Sequence, residues 1–234
     1  MKKNIKSITI TRNDYVVRNI TDEELAVKGH LSQYTEFDIE GRPVKEINYD
    51  TEGRFEEMHQ YGYDPEGHLV TDSYFPEEEL EAETTRYDYN SEGLVSSSSK
   101  RYLDGSVDTT RYYYDPRGKL EKKVTISDDG EPDEEEFFSQ EEEVIAETSS
   151  DPAGNEMNVT RNDNGQIILE ERITPDGTVI SRVERMYDEE GKPLETVVFI
   201  DGQGQRISRH YILHYGYSYY PAIAEQTGLP LQNK

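Results

Sequence analysis

Along most of the chain, apolar and polar residues alternate with a period of two, in runs of about eight residues. Leu120, Val124 and Ile126 share one parity, as do Ile167, Leu169 and Ile173. Leu194, Val198 and Ile200 repeat the pattern, and so do Ile207, Tyr211 and Leu213. The positions between them are mostly Glu, Lys, Arg, Thr and Ser. This predicts strands with one packed and one wet face, the arrangement that antiparallel sheets allow. Ile5, Ile8 and Ile10, then Tyr15 to Ile20, predict two short strands around Arg12-Asn13-Asp14. Thr21-Asp22-Glu23-Glu24 has the form of a capping box, but Gly29 follows so soon that a single turn is expected there.

Turn signals punctuate the strands on a nearly fixed grid. Turn-closing positions fall at Gly29, Gly41, Gly53, Gly67, Glu79, Gly93, Gly105, Gly118, Gly130, Glu142, Gly154, Gly165, Gly177, Gly191 and Gly204, every 11 to 14 residues. The turns come in two sorts. One is aromatic-Asp-x-x-Gly, as at Phe37 to Gly41, Tyr49 to Gly53, Tyr63 to Gly67, Tyr114 to Gly118 and Tyr187 to Gly191, with Tyr89 to Gly93 a variant carrying Asn90. The other reads as a shorter Asp-Gly or Asn-Gly type, at Asp104-Gly105, Asp129-Gly130, Asn164-Gly165, Asp176-Gly177 and Asp201-Gly202. Asp suits the first position of a type I turn, and Gly takes the left-handed conformation that returns the chain as a hairpin. Around Glu79 and Glu142 the glycine is gone, and a turn follows from spacing alone.

The fold expected is all-β: an antiparallel meander of about 14–16 short strands joined by hairpin turns. A flat single layer cannot bury its apolar face, so a curled single sheet or an open, barrel-like or solenoid repeat is anticipated, curling being preferred to dimerisation. The organisation expected is N-terminal strands and cap over 1–28, the repeat sheet over 29–213, and an aromatic C-terminal segment over 214–234. Pro221 to Gly228 has the start, Ala content and closing Gly of a short C-terminal helix, expected to cover the last edge of the sheet.

Composition sharpens this picture. Only 32% of residues are hydrophobic, but 18 tyrosines and a regular turn period argue for a folded chain with a thin core rather than disorder. Net charge is −25, from 50 acids against 25 bases, which disfavours nucleic acid and anionic membranes as partners and leaves three readings open: a basic partner, divalent cations, or acids that only keep a long open sheet soluble and block edge pairing. Ten acids and no base lie between Asp128 and Glu143. There is no cysteine, hence no thiolate metal site or disulfide frame. No apolar segment follows Met1-Lys2-Lys3 and no run is long enough to span a membrane, so a cytoplasmic product is the expectation, export by a dedicated machine aside.

Tyr102-Leu103-Asp104-Gly105, then Thr109 to Tyr114, then Asp115-Pro116-Arg117-Gly118-Lys119-Leu120 resembles the Rhs/YD repeat. Tyr63 to Leu69 and Tyr49 to Phe55 carry the same motif, and the resemblance covers residues 34 to 204, more worn after Gly130. MORN-variant repeats share the rhythm of aromatic and Gly less closely. The family resemblance implies strands of a spiralling sheet that forms a shell or scaffold. At 234 residues the chain is too short to close a large shell, and it lacks the family's proteolytic core segment, so the sheet carries over and the encapsulating role does not.

No catalytic constellation stands out. His30, His59, His68, His210 and His214 have no ligand spacing; His210 and His214 are about 13 Å apart at strand rise. No Gly-x-Ser-x-Gly elbow is present, and carboxylates are too abundant to single out a pair. The turn Asp residues could offer oxygens to Ca²⁺, but each already has the local task of accepting backbone N–H groups. Tyrosines flanking the turns predict cross-strand packing, or a face that stacks on sugars or a protein. The function expected is therefore non-enzymatic, with no cofactor: an acidic β-repeat module that binds a basic protein or acts as a scaffold, by family analogy an accessory or immunity partner of a secreted toxin system. Its candidate contact residues are Tyr215, Tyr217, Tyr219, Tyr220, Asp133, Glu134, Glu135 and Glu136. The alternative is a cell-surface or envelope carbohydrate-binding module.

Overall fold

The computed structural model describes residues 4–16, 25–26, 29–138, 154–201 and 209–221, and all their regular structure is β. The strands are β1 (Ile5–Val16), β2 (Leu25–Ala26), β3 (His30–Phe37), β4 (Pro43–Tyr49), β5 (Phe55–Tyr63) and β6 (Leu69–Phe75). They continue as β7 (Glu83–Tyr89), β8 (Val95–Tyr102), β9 (Val107–Tyr114), β10 (Leu120–Ile126) and β11 (Pro132–Phe137). The last are β12 (Glu156–Arg161), β13 (Ile167–Ile173), β14 (Val179–Tyr187), β15 (Pro193–Ile200) and β16 (Arg209–Tyr219). They form one antiparallel meander sheet that is not closed, in the order β11 through β3, then β1, β16, and on to β12, with β2 beside β1.

The middle of the sheet differs from expectation. β1 is a single 12-residue strand with no turn at Arg12-Asn13-Asp14. It is hydrogen-bonded along both sides, to β3 and to β16, and Arg12 and Asp14 are bridged at 2.5 Å. No glycine is available there to supply a turn. The last described strand, β16, is likewise central, between β1 and β15, and not an edge. The helix expected over 221–228 lies outside the described residues beyond Pro221, as does the turn expected at Glu142. The edges of the sheet are β11 and β12. Every neighbour in the order is antiparallel and the path holds an odd number of strands, so both edge strands run in the same direction.

The two sorts of turn share one geometry. In Asp115–Gly118 the Gly118 N–H donates to the Asp115 carbonyl at 3.0 Å and the Asp115 N–H to the Lys119 carbonyl at 2.8 Å. In Ser127–Gly130 the corresponding bonds are 2.9 Å and 3.1 Å. Both are type I turns closed by a left-handed glycine in a bulge, with φ of +79° at Gly118 and +85° at Gly130. What differs is where the carboxylate sits. On one rim every turn begins with Asp or Asn: Asp38, Asp64, Asn90, Asp115, Asn162 and Asp188. On the other rim only Asp50 does; Tyr102, Ser127 and Thr174 take that place, and the glycine-free turn expected near Glu79 is closed by the Leu80 N–H on the Glu77 carbonyl. Gly29 belongs to neither set: it has no left-handed φ, and a Cβ there would collide with the Asn13 side chain.

Consecutive turns on the Asp-first rim are clasped by tyrosine. Each bulge diverts one carbonyl from the ladder, and a Tyr hydroxyl from the next hairpin reaches it. Tyr63 donates to Pro43 O at 2.8 Å, Tyr89 to Leu69 O at 2.8 Å, Tyr114 to Val95 O at 2.8 Å, Tyr187 to Ile167 O at 2.9 Å and Tyr217 to Pro193 O at 2.6 Å. In three of these clasps the residue after the turn glycine lies on the same ring: Arg42 over Tyr63 at 4.7 Å, His68 stacked on Tyr89 at 4.6 Å, and Lys192 over Tyr217 at 5.7 Å.

Burial is thin and divided between the faces. Among the described residues only Met58, Val124, Val198, Ser7, Ser98 and Thr196 are buried. The registers place Met58 and Val124 on one face and Val198, Ser98 and Thr196 on the other, so the expected contrast of one packed and one wet face gives way to two half-covered faces. No second layer is present among the described residues to cover either.

Candidate functional site

The eight sequence-derived contact residues fall in two separate places. Asp133, Glu134, Glu135 and Glu136 lie on the edge strand β11, and Tyr215, Tyr217 and Tyr219 on the central strand β16, with Tyr220 just beyond it. The whole first arm of the sheet and β1 stand between them in the hydrogen-bonded order.

On β16 the tyrosine hydroxyls are turned to the fold. Tyr217 closes the last clasp, and its burial raises the phenol to about 12. Tyr215 lies 3.3 Å from the Thr196 hydroxyl, and Tyr220 donates to Phe37 O at 2.6 Å. Tyr219 lies under the Lys192 ammonium, 5.1 Å from nitrogen to ring centre. Lys192 is held above its ordinary pKa by Glu190 first and by Tyr219 next. All four rings are half-buried.

β11 is the more open element. Asp133, Glu134 and Glu135 are exposed and Glu136 half-buried. Lys122 and Lys123 on the neighbouring β10 reach Glu135 at 2.9 Å and Glu136 at 2.8 Å. Asp133 and Glu134 have no ion-pair partner among the described residues. Phe137 closes the strand at 72% exposure with Lys122 over its ring. Among the described residues nothing pairs with the outer side of β11, which presents backbone N–H and C=O groups beside four consecutive carboxylates.

A third feature was not singled out by sequence. His59, Asp72, Tyr74, Glu83, Thr85 and Lys100 line a half-open cavity of about 320 Å³ on one face of β5 to β8. His59 Nδ1 meets Asp72 Oδ1 at 2.8 Å, and its ring stacks against Tyr61 and tilts on Tyr74. Tyr61 donates to Glu46 at 2.7 Å; burial first and that carboxylate second push its phenol well up. Lys100 pairs with Glu83 at 2.5 Å. The signal was present in the repeat spacing: His59 and Asp72 lie 13 residues apart, one strand and turn, which places them on adjacent strands. No serine or cysteine lines this cavity, and among the described residues no group of three or more His, Asp or Glu is placed to hold a metal. His68 pairs with Asp64 and His214 with Glu195, each within one hairpin.

No family model and no curated protein matches the chain. Among solved structures, a porin-like protein from Bacteroides uniformis is similar over 93% of this chain and 99% of its own, at 9% identity and a TM-score of 0.44. The TcdB2-TccC3-Cdc42 structure is similar over 82% of this chain and 15% of its own length, at 14% identity and a TM-score of 0.27. A LolA superfamily protein from Nitrosomonas europaea covers 92% of this chain at 7% identity and a TM-score of 0.25. All three scores lie below 0.5, and none assigns a family or an activity to this chain. No described helix is long and apolar enough to cross a membrane.

Proposed function

We propose that this chain is a non-enzymatic binding module of the Rhs/YD-repeat type that captures a basic protein segment by strand addition to β11. The observation that carries this reading is the open edge itself, with Asp133 and Glu134 unpaired beside it. Strand addition draws affinity from main-chain hydrogen bonds and specificity from alternating side chains. Alternation places Glu134 and Glu136 on one face and Asp133 and Glu135 on the other, so the complementary segment carries Lys or Arg at successive positions. The overall charge of −25 steers such a partner toward the sheet and makes association sensitive to salt.

The test is affinity capture with the full chain at low and high salt, beside a variant with Asp133→Lys and Glu134→Lys. The expected result is a stoichiometric basic protein, retained by the wild type at low salt only and absent from the variant. Capture that survives both the substitutions and high salt, or no basic protein at all, overturns the reading.

A second reading, carbohydrate binding, rests on the His59–Tyr74 cavity, where two rings and four polar side chains line a space of sugar size. Glycan-array binding abolished by Tyr74→Ala would replace the first reading with this one.

A further inference from the structure

The two edges of the sheet are built differently, and the difference points to a second copy of this chain. β11 opens on Pro132 and carries four acids in a row, devices that keep it from pairing with a copy of itself while leaving a basic strand free to add. β12, Glu156-Met157-Asn158-Val159-Thr160-Arg161, has neither: it contains no proline or glycine, its formal charge is zero, and all six residues are exposed. Met157 and Val159 are 43% and 42% exposed. On β13 they face Arg172 and Glu170, so the neighbouring strand supplies neither with an apolar cross-strand partner.

We infer that β12 pairs antiparallel with β12 of a second copy, joining two sheets into one. A two-fold axis normal to the sheet keeps every side chain on its own face, so facing residues must share parity. In the register centred on Asn158, Met157 of each copy faces Val159 of the other, and Glu156 faces Thr160. Each Met157 and Val159 thereby gains the apolar neighbour that β13 withholds. The two Asn158 side chains meet across the axis as neutral amides. The same operation on β11 would set Glu134 against Glu136 or Glu135 against itself, like charges directly opposite. Head-to-tail addition is also disfavoured: the two edges run in the same direction, so copies related by translation would join β11 to β12 in parallel, unlike every other ladder in the sheet. Once β12 is paired only acidic edges remain outward, and assembly stops at two. A six-residue edge is smaller than a standard interface, so the dissociation constant is expected on the order of micromolar.

Sedimentation velocity of the full chain from about 1 to 200 μM, spanning that range, reads the equilibrium. The expected result is a shift from monomer to dimer with no larger species, abolished by Met157→Lys with Val159→Lys while the far-ultraviolet spectrum and Tm are kept. The register has its own readout, because the chain contains no cysteine. Asn158→Cys is expected to cross-link to a covalent dimer under mild oxidation at least tenfold faster than Glu134→Cys on the other edge. A monomer throughout the range, or a dimer that persists in the double lysine variant, overturns the proposal. Equal cross-linking at 158 and 134 overturns the register and the edge with it.

Discussion

The Tyr89 hydroxyl donates to the Leu69 carbonyl at 2.8 Å, and that bond joins two successive turns of one rim, the Asp64 turn and the Asn90 turn. The same relationship recurs from Tyr63, Tyr114 and Tyr187, each just before a turn, and from Tyr217 within β16, which gives these tyrosines a defined mechanical task. Tyr89→Phe keeps the ring on which His68 stacks and removes only the donor. The expected cost is about 1 kcal/mol, a fall of roughly 2–4 °C in Tm for a chain of this size. Thermal melts of Tyr89→Phe beside Tyr113→Phe, whose ring is exposed and has no clasp, check this; equal melting would remove the clasp from the account.

Gly177 and Gly191 separate backbone strain from crowding. Both have left-handed φ, +88° and +83°. A Cβ on Gly177 meets nothing within 4 Å, whereas on Gly191 it meets Gln166 Nε2 at 3.1 Å, the atom that donates to the Gly191 carbonyl. Gly177→Ala is expected to cost about 1–2 kcal/mol from the left-handed backbone alone. Gly191→Ala is expected to cost more, because Gln166 must also move. Urea denaturation of the two variants gives the comparison.

Acid sensitivity is expected to follow the turn aspartates. The Lys119 amide N–H on Asp115, the Arg54 amide on Asp50 and the Lys192 amide on Asp188 are the leading causes that hold these carboxyls below their ordinary range. A carboxyl depressed in the fold adds stability above its unfolded pKa of about 4 and loses it as pH falls through the folded value. Asn90 accepts the same pair of amides, at 2.9 and 3.0 Å, without a charge. Asp115→Asn is therefore expected to keep the neutral-pH melting point within error and to flatten the fall in Tm below pH 4, whereas Asp115→Ala lowers Tm at every pH. Melting curves from pH 2 to 7 decide it.

At the alkaline end the sign reverses. The Asp108 carboxylate, with burial second, raises Tyr102 to about 12, and burial raises Tyr217 to about 12. A phenol raised in the fold contributes stability that is complete below about pH 10, and that stability is lost as pH climbs through the folded value. Titration followed at the tyrosinate absorbance should show a fraction of the 18 tyrosines ionising late and together with unfolding. Tyr102→Phe should remove part of that fraction.

The hairpins were legible in sequence because their signal is local. Asp115, Gly118 and the alternation through Val124 and Ile126 each fix a turn or a face within a dozen residues, and the structure has its turns where these place them. The segregation of Asp-first turns to one rim was also written there, in the alternation of Asp115 with Ser127 as first residue, once the four-residue geometry is known to be common to both. The partners of β1 and β16 were not legible. Ile8 faces Thr35 on one side and Tyr217 on the other, and no turn signal connects strands so far apart. The His59–Asp72 cavity is intermediate: its residues sit one repeat step apart, but their meeting depends on register, which Gly67 and its bulge shift by one residue.

The central ladder sets an order of events. Ser7 and Ser218 share a hydrogen bond across 211 positions of chain, whereas every other ladder joins near neighbours in sequence. While the protein is being synthesised, β1 is among the first strands made, yet one of its two flanks waits for the last described strand to be produced. The arms can zip hairpin by hairpin at small cost in chain entropy; the seam between them closes only after a loop of nearly the whole molecule is drawn together. Until then β1 is itself an unprotected edge, bearing Ile8 and Ile10 on one face, and the nascent sheet is most exposed to wrong partners at what will become its centre.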